Sequence, residues 1–541
     1  MDRFLLTKPP CANVGNSETQ PCPNAGSRAC SNCYLVQYCS TDCQRAHWPT
    51  HKRDCKSPLI RTKWKPSWEV EGRRPAFVTQ TGGHDMYGMN KYLWGNMPAL
   101  DMLNLERNEG SEYAGTLDVL FAASGDIRNI VKTLASLPEN FHGKCNFVVN
   151  DKDFDVVSRN VILLLTSLHY EPAEATPMLI HMWYSALIPE DMLRSLRDNI
   201  LPLIEEVSLR LVLRKEQWSR LRQFFEVPKD LSVDEAQGIR KSTVLAPHRK
   251  DYLDRFLFTK PPAWRVCAMK FREHGVLLPF GATQRDFDTP NPTLYRTKDR
   301  WPMKDSADPL EGWPLDEVIS KATLAKKDIY GSLFFYLQDL LSRYCRRLGA
   351  MSIIHLFHLD AVNLPSSLKN DGVSPCSFDR IEVSNISDSA YLGPGKTLST
   401  FNALLKPKPQ SMHATLLCLF LNAVEEACTP IDTLAWFKVN LSLLRRYLPT
   451  TRGVLDNPVR GSDAEFLRLI AAADMSRDFD ELFDRYMLLH QFPKISRDAG
   501  LEMKARNTIV LKPFPMQLRE NASQEEFDLL HASGHDGHER I

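Results

Sequence analysis

The sequence predicts an α/β protein with a small cysteine-rich segment at its N-terminus and a helical region at its C-terminus. Three observations lead to this prediction. Seven of the thirteen cysteines lie between residues 11 and 55. Short apolar runs then alternate with amphipathic segments, which is the pattern of a parallel sheet covered by helices. From Thr429 onward the apolar residues follow helical spacing.

The cysteine-rich segment holds eight residues of the types that bind soft metal ions. Two of its cysteines form a CxxC knuckle, and two further pairs lie four residues apart, so that each pair can share one face of a helical turn. Eight soft ligands fill two tetrahedral sites, which suits zinc. If the ligands alternate in pairs, one ion is held by Cys11, Cys22, Cys39 and Cys43, and the other by Cys30, Cys33, His51 and Cys55.

A disulfide cluster and a different histidine ligand are the alternatives to this assignment. Seven cysteines cannot all pair with one another, and the start MDRFLLTKPP is too short and too soon interrupted by proline to be a secretion signal. We therefore expect a reducing compartment, the cytoplasm or the nucleus, where thiols stay free for metal. His47 has a suitable spacing to Cys43, but its use as a ligand would leave His51 unused.

The run CSNCYLVQYCSTDCQRAHWPTHKRDC, with its CQ…W…HK…C ending, resembles the second half of a MYND zinc finger. The first ligand pair departs from that family, because Cys11 and Cys22 are eleven residues apart where a CxxC is usual. The resemblance implies a module that binds short proline-rich peptides and has no catalytic activity of its own. It also implies that Gln44 and Trp48 line the peptide groove. For Trp48, packing of the last helix in a small core is the alternative.

Composition limits the classes of function. Hydrophobic residues make up 43% of the 541 residues and charged residues 25%, as in an ordinary globular protein. The net charge of +1 provides no global field for nucleic acid or an anionic membrane. No apolar run approaches the roughly 18 to 20 residues that span a bilayer. A protein partner is therefore favoured over a membrane. A nucleic-acid-binding zinc protein stays an alternative because of the basic residues Arg45, Lys52, Arg53, Lys56, Arg61 and Lys63.

The α/β region begins with a βαβα pattern. The apolar runs 117–123 and 146–149 predict buried strands, and each is followed by a segment of helical period. Gly125 and Asp151 lie just beyond these strands. In a parallel sheet that binds a nucleotide, a glycine at the first place lets the backbone approach the ligand closely, and an acidic residue at the second place binds a ribose. A plain turn for Gly125 and a helix cap for Asp151 are the alternatives.

The sheet pattern returns after a long helical insertion at about 200–345. Strands are predicted at 352–359, 378–383 and 414–424, and Asp360 directly follows the first of these. The series strand-Asp-Ala-x-x-Leu-Pro, then Phe-Asp-x-Ile, then Leu-Lys-Pro before a strand resembles the later strands of class I S-adenosylmethionine-dependent methyltransferases.

This second resemblance implies a Rossmann-like domain in which Gly125, Asp151 and Asp360 bind S-adenosylmethionine. The sequence also departs from that family, because LDVLFAASGD lacks its glycine pair and no nucleophile motif follows FDRIEV. The stretch from about Trp94 to Leu168 more closely resembles an uncharacterised domain that often follows MYND fingers in fungal proteins. It is also similar to the N-terminal region of dynein axonemal assembly factor 3, which implies a methyltransferase-like fold without an established activity.

The C-terminal part is predicted to be helical, with Thr429 as the cap of its first helix, Pro430 in the first turn, and a late strand at 508–511. The predicted division of the chain is a finger at 11–55, a linker at 56–95, the α/β domain at 96–430, helices at 431–525 and a disordered tail at 526–541.

Two functions fit these patterns. The first is a zinc-binding adaptor whose finger binds a proline-rich peptide and whose methyltransferase-like domain is not catalytic. The second is an S-adenosylmethionine-dependent methyltransferase that uses the finger to recruit its substrate. A SET-domain lysine methyltransferase is disfavoured, since the sequence has no Asn-His-x-x-x-Asn run.

Overall fold

The computed structural model describes residues 6–15, 20–79, 87–206, 215–370, 372, 377–448, 463–473, 475, 479–510, 518–519 and 521–532. The chain divides into two compact units. The first combines residues 1–99 with 158–346, and the second combines residues 100–157 with 347–541. None of the described helices has the length and apolar character needed to cross a bilayer.

The described strands are, in chain order, β1 Arg28–Ala29, β2 Gln37–Tyr38, β3 Thr116–Phe121, β4 Lys144–Asp151, β5 Leu187–Ile188, β6 Thr289–Pro290, β7 Ser352–His358, β8 Arg380–Glu382 and β9 Thr415–Leu417.

The described α-helices are α1 Thr41–Cys55, α2 Ser67–Val70, α3 Ala76–Thr79, α4 Arg128–Ser136, α5 Phe154–His169, α6 Pro172–Tyr184, α7 Glu190–Ser195, α8 Leu201–Glu206, α9 Lys215–Arg222, α10 Val233–Val244, α11 Lys250–Thr259, α12 Pro262–His274, α13 Leu315–Ser320, α14 Ile329–Met351, α15 Leu364–Asn370, α16 Gly393–Phe401, α17 Ala423–Ala427, α18 Pro430–Tyr447, α19 Ala464–Ala473, α20 Asp480–Leu489, α21 Phe492–Asp498 and α22 Gln524–Ala532.

The second unit contains a five-stranded sheet in the order β7-β4-β3-β8-β9. All four strand pairings are parallel, and Phe121 of β3 lies opposite both Val149 of β4 and Glu382 of β8. The predicted α/β class is therefore confirmed. Continuous apolar runs form β3 and β4 because helices cover both faces of a parallel sheet. One hydrophobic cluster joins strands of this sheet to α15 and α16, and it includes Leu120, Val148, Leu364, Ile381 and Phe401.

The predicted strand at 414–424 is wrong beyond Leu417. β9 has three residues, and Ala423 begins the helix α17. The Asp388 carboxylate accepts hydrogen bonds from the backbone N–H groups of Leu421 and Asn422 at 3.0 and 3.2 Å. Because a side chain satisfies these donors, the apolar run leaves the sheet after Leu417 without burying unpaired backbone groups.

The C-terminal helices follow the predicted capping. Thr429 and Asp432 form a reciprocal capping box at the start of α18, with Pro430 in the first turn. Residues 508–510 are not a strand, because the Thr508 carbonyl accepts a side-chain hydrogen bond from Asn104 at 2.8 Å. Leu511 lies outside the described residues.

The segment predicted as a disordered tail begins with a helix. Residues 526–532 belong to α22. Buried Phe527 stacks on Tyr447 with 4.8 Å between the ring centres, so an aromatic contact holds this helix on α18. Residues 533–541 lie outside the described part of the chain.

The first unit is mainly helical, and the cysteine-rich segment packs within it. The backbone N–H of Lys327 donates to the Tyr34 carbonyl at 3.1 Å. Gly281 lies so close to the segment that a Cβ added there would stand 2.6 Å from Ala12 Cβ. These contacts fix the cysteine-rich segment against two loops of the same unit, after α12 and before α14.

Residues between the cysteine-rich segment and the sheet are also built into the first unit. Arg73 makes a bidentate ion pair with Asp251 of α11 at 2.6 and 2.7 Å. Trp68 is fully buried, and Trp94 donates from its indole N–H to the Trp183 carbonyl at 2.6 Å. Both tryptophans therefore pack within the first unit.

Candidate metal centres and the carboxyl edge of the sheet

The eight predicted ligands come together as two separate groups of four. In each group, the donor atoms all lie within 4.8 Å of one another. The first group is Cys11, Cys22, Cys39 and Cys43, and the second is Cys30, Cys33, His51 and Cys55. The alternating order along the chain is the one that the sequence predicts.

Local structure places the first group on three segments. Pro10 and Ala25 form an isolated antiparallel bridge, which brings Cys11 close to Cys22 across their long spacing. The backbone N–H of Cys39 donates to Cys11 Sγ at 3.4 Å. Cys43 lies in the first turn of α1, whereas Cys39 precedes the cap rather than sharing the helical turn.

The second group is formed by a knuckle and the end of α1. Tyr34 has a φ of 55°, and this left-handed turn folds the chain back so that the Leu35 N–H donates to Cys33 Sγ at 3.4 Å. His51 and Cys55 are four residues apart on α1, so their side chains lie on one face of the helix. All four residues are buried.

The spacing of the donor atoms fits tetrahedral zinc. Zinc–sulfur bonds of about 2.3 Å at tetrahedral angles place two sulfur atoms about 3.8 Å apart. The sulfur–sulfur distances are 3.6 Å for Cys22–Cys39, 3.5 Å for Cys39–Cys43 and 3.8 Å for Cys30–Cys55. Cys33 Sγ lies 3.4 Å from His51 Nε2. The two groups therefore fit two zinc ions.

The thiols of the two groups differ in pKa. Contacts with Cys33 and His51 lower the pKa of Cys30 to about 3, and a contact with Asn13 lowers the pKa of Cys43 to about 7. Burial raises the pKa of Cys11 to about 12, and burial is the main cause of the raised pKa of Cys55. Thiolates are the form that binds zinc, and a bound cation provides the positive charge that stabilises several of them in one buried site. A bound metal ion therefore favours the thiolate form of Cys11 and Cys55.

The structure separates the two histidines of α1. His51 Nε2 points to Cys33, whereas His47 Nδ1 lies 3.0 Å from the Tyr38 hydroxyl and belongs to neither group. Burial lowers the pKa of His47 to about 4, which keeps this ring neutral. His47 is thus a packing residue and His51 is the candidate ligand.

Two asparagines complete the surroundings of the sulfurs, and sequence reasoning missed both. Asn13 Nδ2 lies 3.6 Å from Cys43 Sγ, and Asn32 Nδ2 lies 3.2 Å from Cys55 Sγ. Amide donors of this kind stabilise a thiolate and orient it. Their position two residues after Cys11 and Cys30 was the only signal in the sequence.

The predicted peptide-binding pair, Gln44 and Trp48, lies on the same face of α1 as His51. Gln44 is half-buried and Trp48 is 37% exposed. The Trp48 and His51 rings pack edge-on with 6.1 Å between their centres. Lys56 Nζ lies 5.9 Å from the centre of the Trp48 ring. Trp48 therefore packs against a candidate ligand and still presents aromatic surface to solvent.

At the sheet, Gly125 and Asp151 do come together. The Gly125 N–H donates to Asp151 Oδ2 at 2.9 Å, and the Asp153 N–H donates to Oδ1 at 2.8 Å. Burial raises the pKa of Asp151, and these two hydrogen bonds oppose that rise. Asp360 instead caps a short 3-10 turn by accepting from the Val362 N–H at 3.0 Å.

Two further polar residues line the carboxyl edge of the sheet and were not predicted. Asn150 donates to the carbonyls of Ala122 and Leu359 and accepts from the Leu359 N–H. Glu382, at the end of β8, accepts from the Ser384 N–H at 2.6 Å. Burial raises the pKa of Glu382 to about 7. The carboxyl ends of β4 and β8 thus carry buried polar side chains that bind the backbone.

Two stretches of the chain match known families. Residues 11–55 match the MYND finger. The N-terminal segment is a MYND finger. Residues 93–188 match a domain of unknown function, DUF4470. That match includes the predicted βαβα stretch.

Among curated proteins, a SET and MYND domain-containing protein of Dictyostelium discoideum is 62% identical over 29 residues. This match spans 5% of the present chain and 5% of that protein. No solved structure matches the chain significantly. The similarity to characterised proteins is thus short and does not extend a function to the whole chain.

Proposed function

We propose that this protein is a zinc-dependent interaction protein in which the MYND finger binds a short proline-rich peptide. The observation that carries the proposal is the pair of complete four-ligand groups, which fits two zinc ions. A segment with so little apolar surface obtains its folding free energy from metal binding. The attached α/β unit is proposed to be methyltransferase-like and without catalysis.

The face of α1 supports the peptide proposal. Gln44 and Trp48 are four residues apart on one helix, so they form a continuous surface. An exposed aromatic ring packs well on proline rings in extended peptides, and the neighbouring amide can bond to the peptide backbone. The contact of Trp48 with His51 links this surface to the second zinc group.

Peptide binding is tested with the full-length, zinc-loaded protein on an array of proline-rich decapeptides. Trp48→Ala should weaken the bound peptides at least about tenfold while the zinc content stays constant, because a central aromatic contact often contributes 2 kcal/mol or more. Val70→Ala is the matched control, since Val70 is also an exposed hydrophobic residue. Equal loss in both variants would contradict the assignment of the surface.

A second candidate function is an S-adenosylmethionine-dependent methyltransferase that recruits its substrate through the finger. The strand order β7-β4-β3-β8-β9 favours it, because the chain order 3-2-1-4-5 is that of a nucleotide-binding Rossmann sheet. The Asp151 carboxylate argues against it, since both of its oxygens already bind backbone N–H groups.

Calorimetry with S-adenosylmethionine distinguishes the two functions. We expect no saturable heat at high micromolar cofactor. Saturable heat that Asp151→Ala abolishes would favour the methyltransferase and would assign Gly125, Asp151 and Asp360 to its cofactor site.

Several finer points belong to the same proposal. The predicted domain boundaries stay a prediction, as does the similarity to dynein axonemal assembly factor 3. We propose a reducing compartment, cytoplasmic or nuclear, which the free state of the described cysteines supports. Nucleic acid is not proposed as a partner, because the net charge is near zero.

A further inference from the structure

A cavity of about 350 Å³ lies in the first unit, between the start of the finger and the loop after α12. The finger side is lined by apolar residues that include Pro10, Val14 and Pro21. The opposite side includes Leu278 and Phe287. This volume is within the range of small-molecule pockets, about 300–1,000 Å³.

One polar side chain in this lining is completely buried. His181 on α6 has 0% exposure, and its ring packs edge-on against Phe287 with 4.8 Å between the ring centres. Its Nδ1 lies 3.1 Å from Ser185 Oγ. The hydroxyl oxygen of Ser185 in turn accepts from the Leu277 N–H at 3.1 Å.

These contacts are compatible with a proton on Nε2. Ser185 Oγ accepts from Leu277 and keeps its own hydrogen, which it can donate to His181 Nδ1. With Ser185 as the donor, Nδ1 is the acceptor and Nε2 carries the proton, and this tautomer is part of the inference below. Burial lowers the pKa of His181 to about 3, so the ring is neutral and presents a single N–H donor.

The Nε2 atom is buried and has no hydrogen-bond partner among the described residues. Leaving a buried donor unpaired costs about 1–3 kcal/mol, and native proteins rarely do so without a reason. Since His181 lines the cavity, a molecule bound there can provide the missing acceptor.

We propose that this cavity binds an uncharged, mainly apolar small molecule whose carbonyl oxygen accepts a hydrogen bond from His181 Nε2. The apolar lining requires an apolar body. The acceptor is uncharged, because an ionised carboxylate beside a neutral ring would lose its hydration without gaining a counterion. The cavity lining also contains one cation, Lys8, and one carboxylate, Asp286, so these two residues add no net charge that would select an anion.

The site is linked to the first zinc group. Cys11 and Cys22 also line the cavity, so its finger side and that group share two residues. Because linkage is reciprocal, a bound molecule should slow the release of one of the two zinc ions to a chelator. This readout does not depend on the peptide surface at Trp48.

The test uses the full-length, zinc-loaded protein and N,N-dimethylbenzamide, a compact aromatic amide with one carbonyl acceptor and no donor. Saturation-transfer NMR should show saturable binding. His181→Phe keeps an aromatic ring but removes Nε2, and it should weaken the amide about five- to tenfold, as expected for one hydrogen bond. Cumene has no carbonyl, so this substitution should change its binding little.

A second variant fills the cavity directly. Ala282→Phe should abolish amide binding, whereas Ala322→Phe, at an exposed position of the same unit, should not. Zinc content is measured for each variant to show that the finger is intact. Absence of saturable binding to the wild type, or equal amide affinity for wild type and His181→Phe, would overturn the proposal.

Discussion

At the scale of single residues, the two histidines of α1 allow metal binding to be separated from packing. His51→Ala should lower the zinc content by about one ion per chain, because it removes a donor from a four-ligand group. His47→Ala should keep both ions and lose only the contact with the Tyr38 hydroxyl, worth about 1 kcal/mol.

Elemental analysis of purified protein measures both variants against the wild type, for which two zinc ions are expected. Cys428→Ser is the control, because Cys428 belongs to neither four-ligand group and its replacement should leave the zinc content unchanged. Zinc loss in His47→Ala without loss in His51→Ala would contradict the ligand assignment, and a wild type with fewer than two ions would contradict the two-site arrangement.

Glu382 predicts a pH dependence of stability. Burial raises its pKa in the folded protein to about 7, above the ordinary 4.5, so folding takes up a proton in this window. Stability therefore falls as the pH rises from about 4.5 to 7, by an amount on the order of 3 kcal/mol. Glu382→Gln keeps an acceptor for the Ser384 N–H and removes the charge, so it should flatten this dependence.

The measurement is the urea midpoint of wild type and variant at pH 5 and pH 8. The exposed Glu106→Gln serves as the control and should follow the wild type at both values. A parallel pH response of Glu382→Gln and wild type would show that this carboxyl does not change its charge on folding.

The ligand residues could be predicted because metal binding imposes fixed spacings on cysteine and histidine. Asn13, Asn32 and Glu382 could not. Each acts through a contact whose partner is set by the folded backbone, and a buried polar residue beside an apolar run has no spacing rule. For Asp151 the sequence allows a ligand contact or a helix cap; in the structure its carboxylate binds the Gly125 and Asp153 N–H groups, whereas Asp153 accepts from the first turn of α5.

At the scale of elements, Asn150 joins the carboxyl ends of three strands. Its side chain is 1% exposed and bonds to the backbone beyond β3 and β7. Asn150→Leu has a similar size but leaves the Leu359 N–H and two carbonyls unpaired. We expect a loss of about 3 kcal/mol, measured as a lower urea midpoint.

The matched control for this substitution is Asn140→Ala, whose side chain bonds to Glu112 at the surface. It should cost about 0.5 kcal/mol or less. An equally small effect of Asn150→Leu would show that solvent or a rearranged loop satisfies the strand ends.

The periodicity of apolar residues predicts which segments are helices and which are strands. It does not predict where β9 ends, or that the segment at Thr508 is not a strand. The run after Leu417 is as apolar as a strand, but Asp388, more than thirty residues earlier in the sequence, binds its backbone and ends the sheet. The Thr508 carbonyl is likewise bound by Asn104, some four hundred residues away. Side-chain bonds over such separations leave no local pattern.

At the scale of the whole molecule, each compact unit is assembled from stretches that are distant in sequence. The ion pair between Arg73 and Asp251 and the bond between Lys406 and Asp118 join residues far apart within one unit each. The sequence indicates the parallel sheet and the finger, because both follow local patterns. It does not reveal that the finger and the central helices share a unit.

This division predicts the response of the chain to a zinc chelator. Removal of zinc should speed amide hydrogen exchange across residues 11–55 by at least about tenfold, because metal binding provides the folding free energy of the finger. The Lys327 amide should follow, since it donates to the Tyr34 carbonyl. Exchange in β3 and β4, which lie in the other unit with a core of their own, should stay unchanged.

Hydrogen exchange followed by mass spectrometry, with and without chelator, measures the three regions in one experiment, and re-addition of zinc should restore the protection. The doubly substituted Cys11→Ser, His51→Ala protein provides the same comparison without chelator, because each zinc group then lacks a ligand. If protection of residues 11–55 survived in both, hydrophobic packing against the first unit rather than metal would hold the finger. If protection of β3 and β4 were lost as well, the two units would not fold independently of the metal.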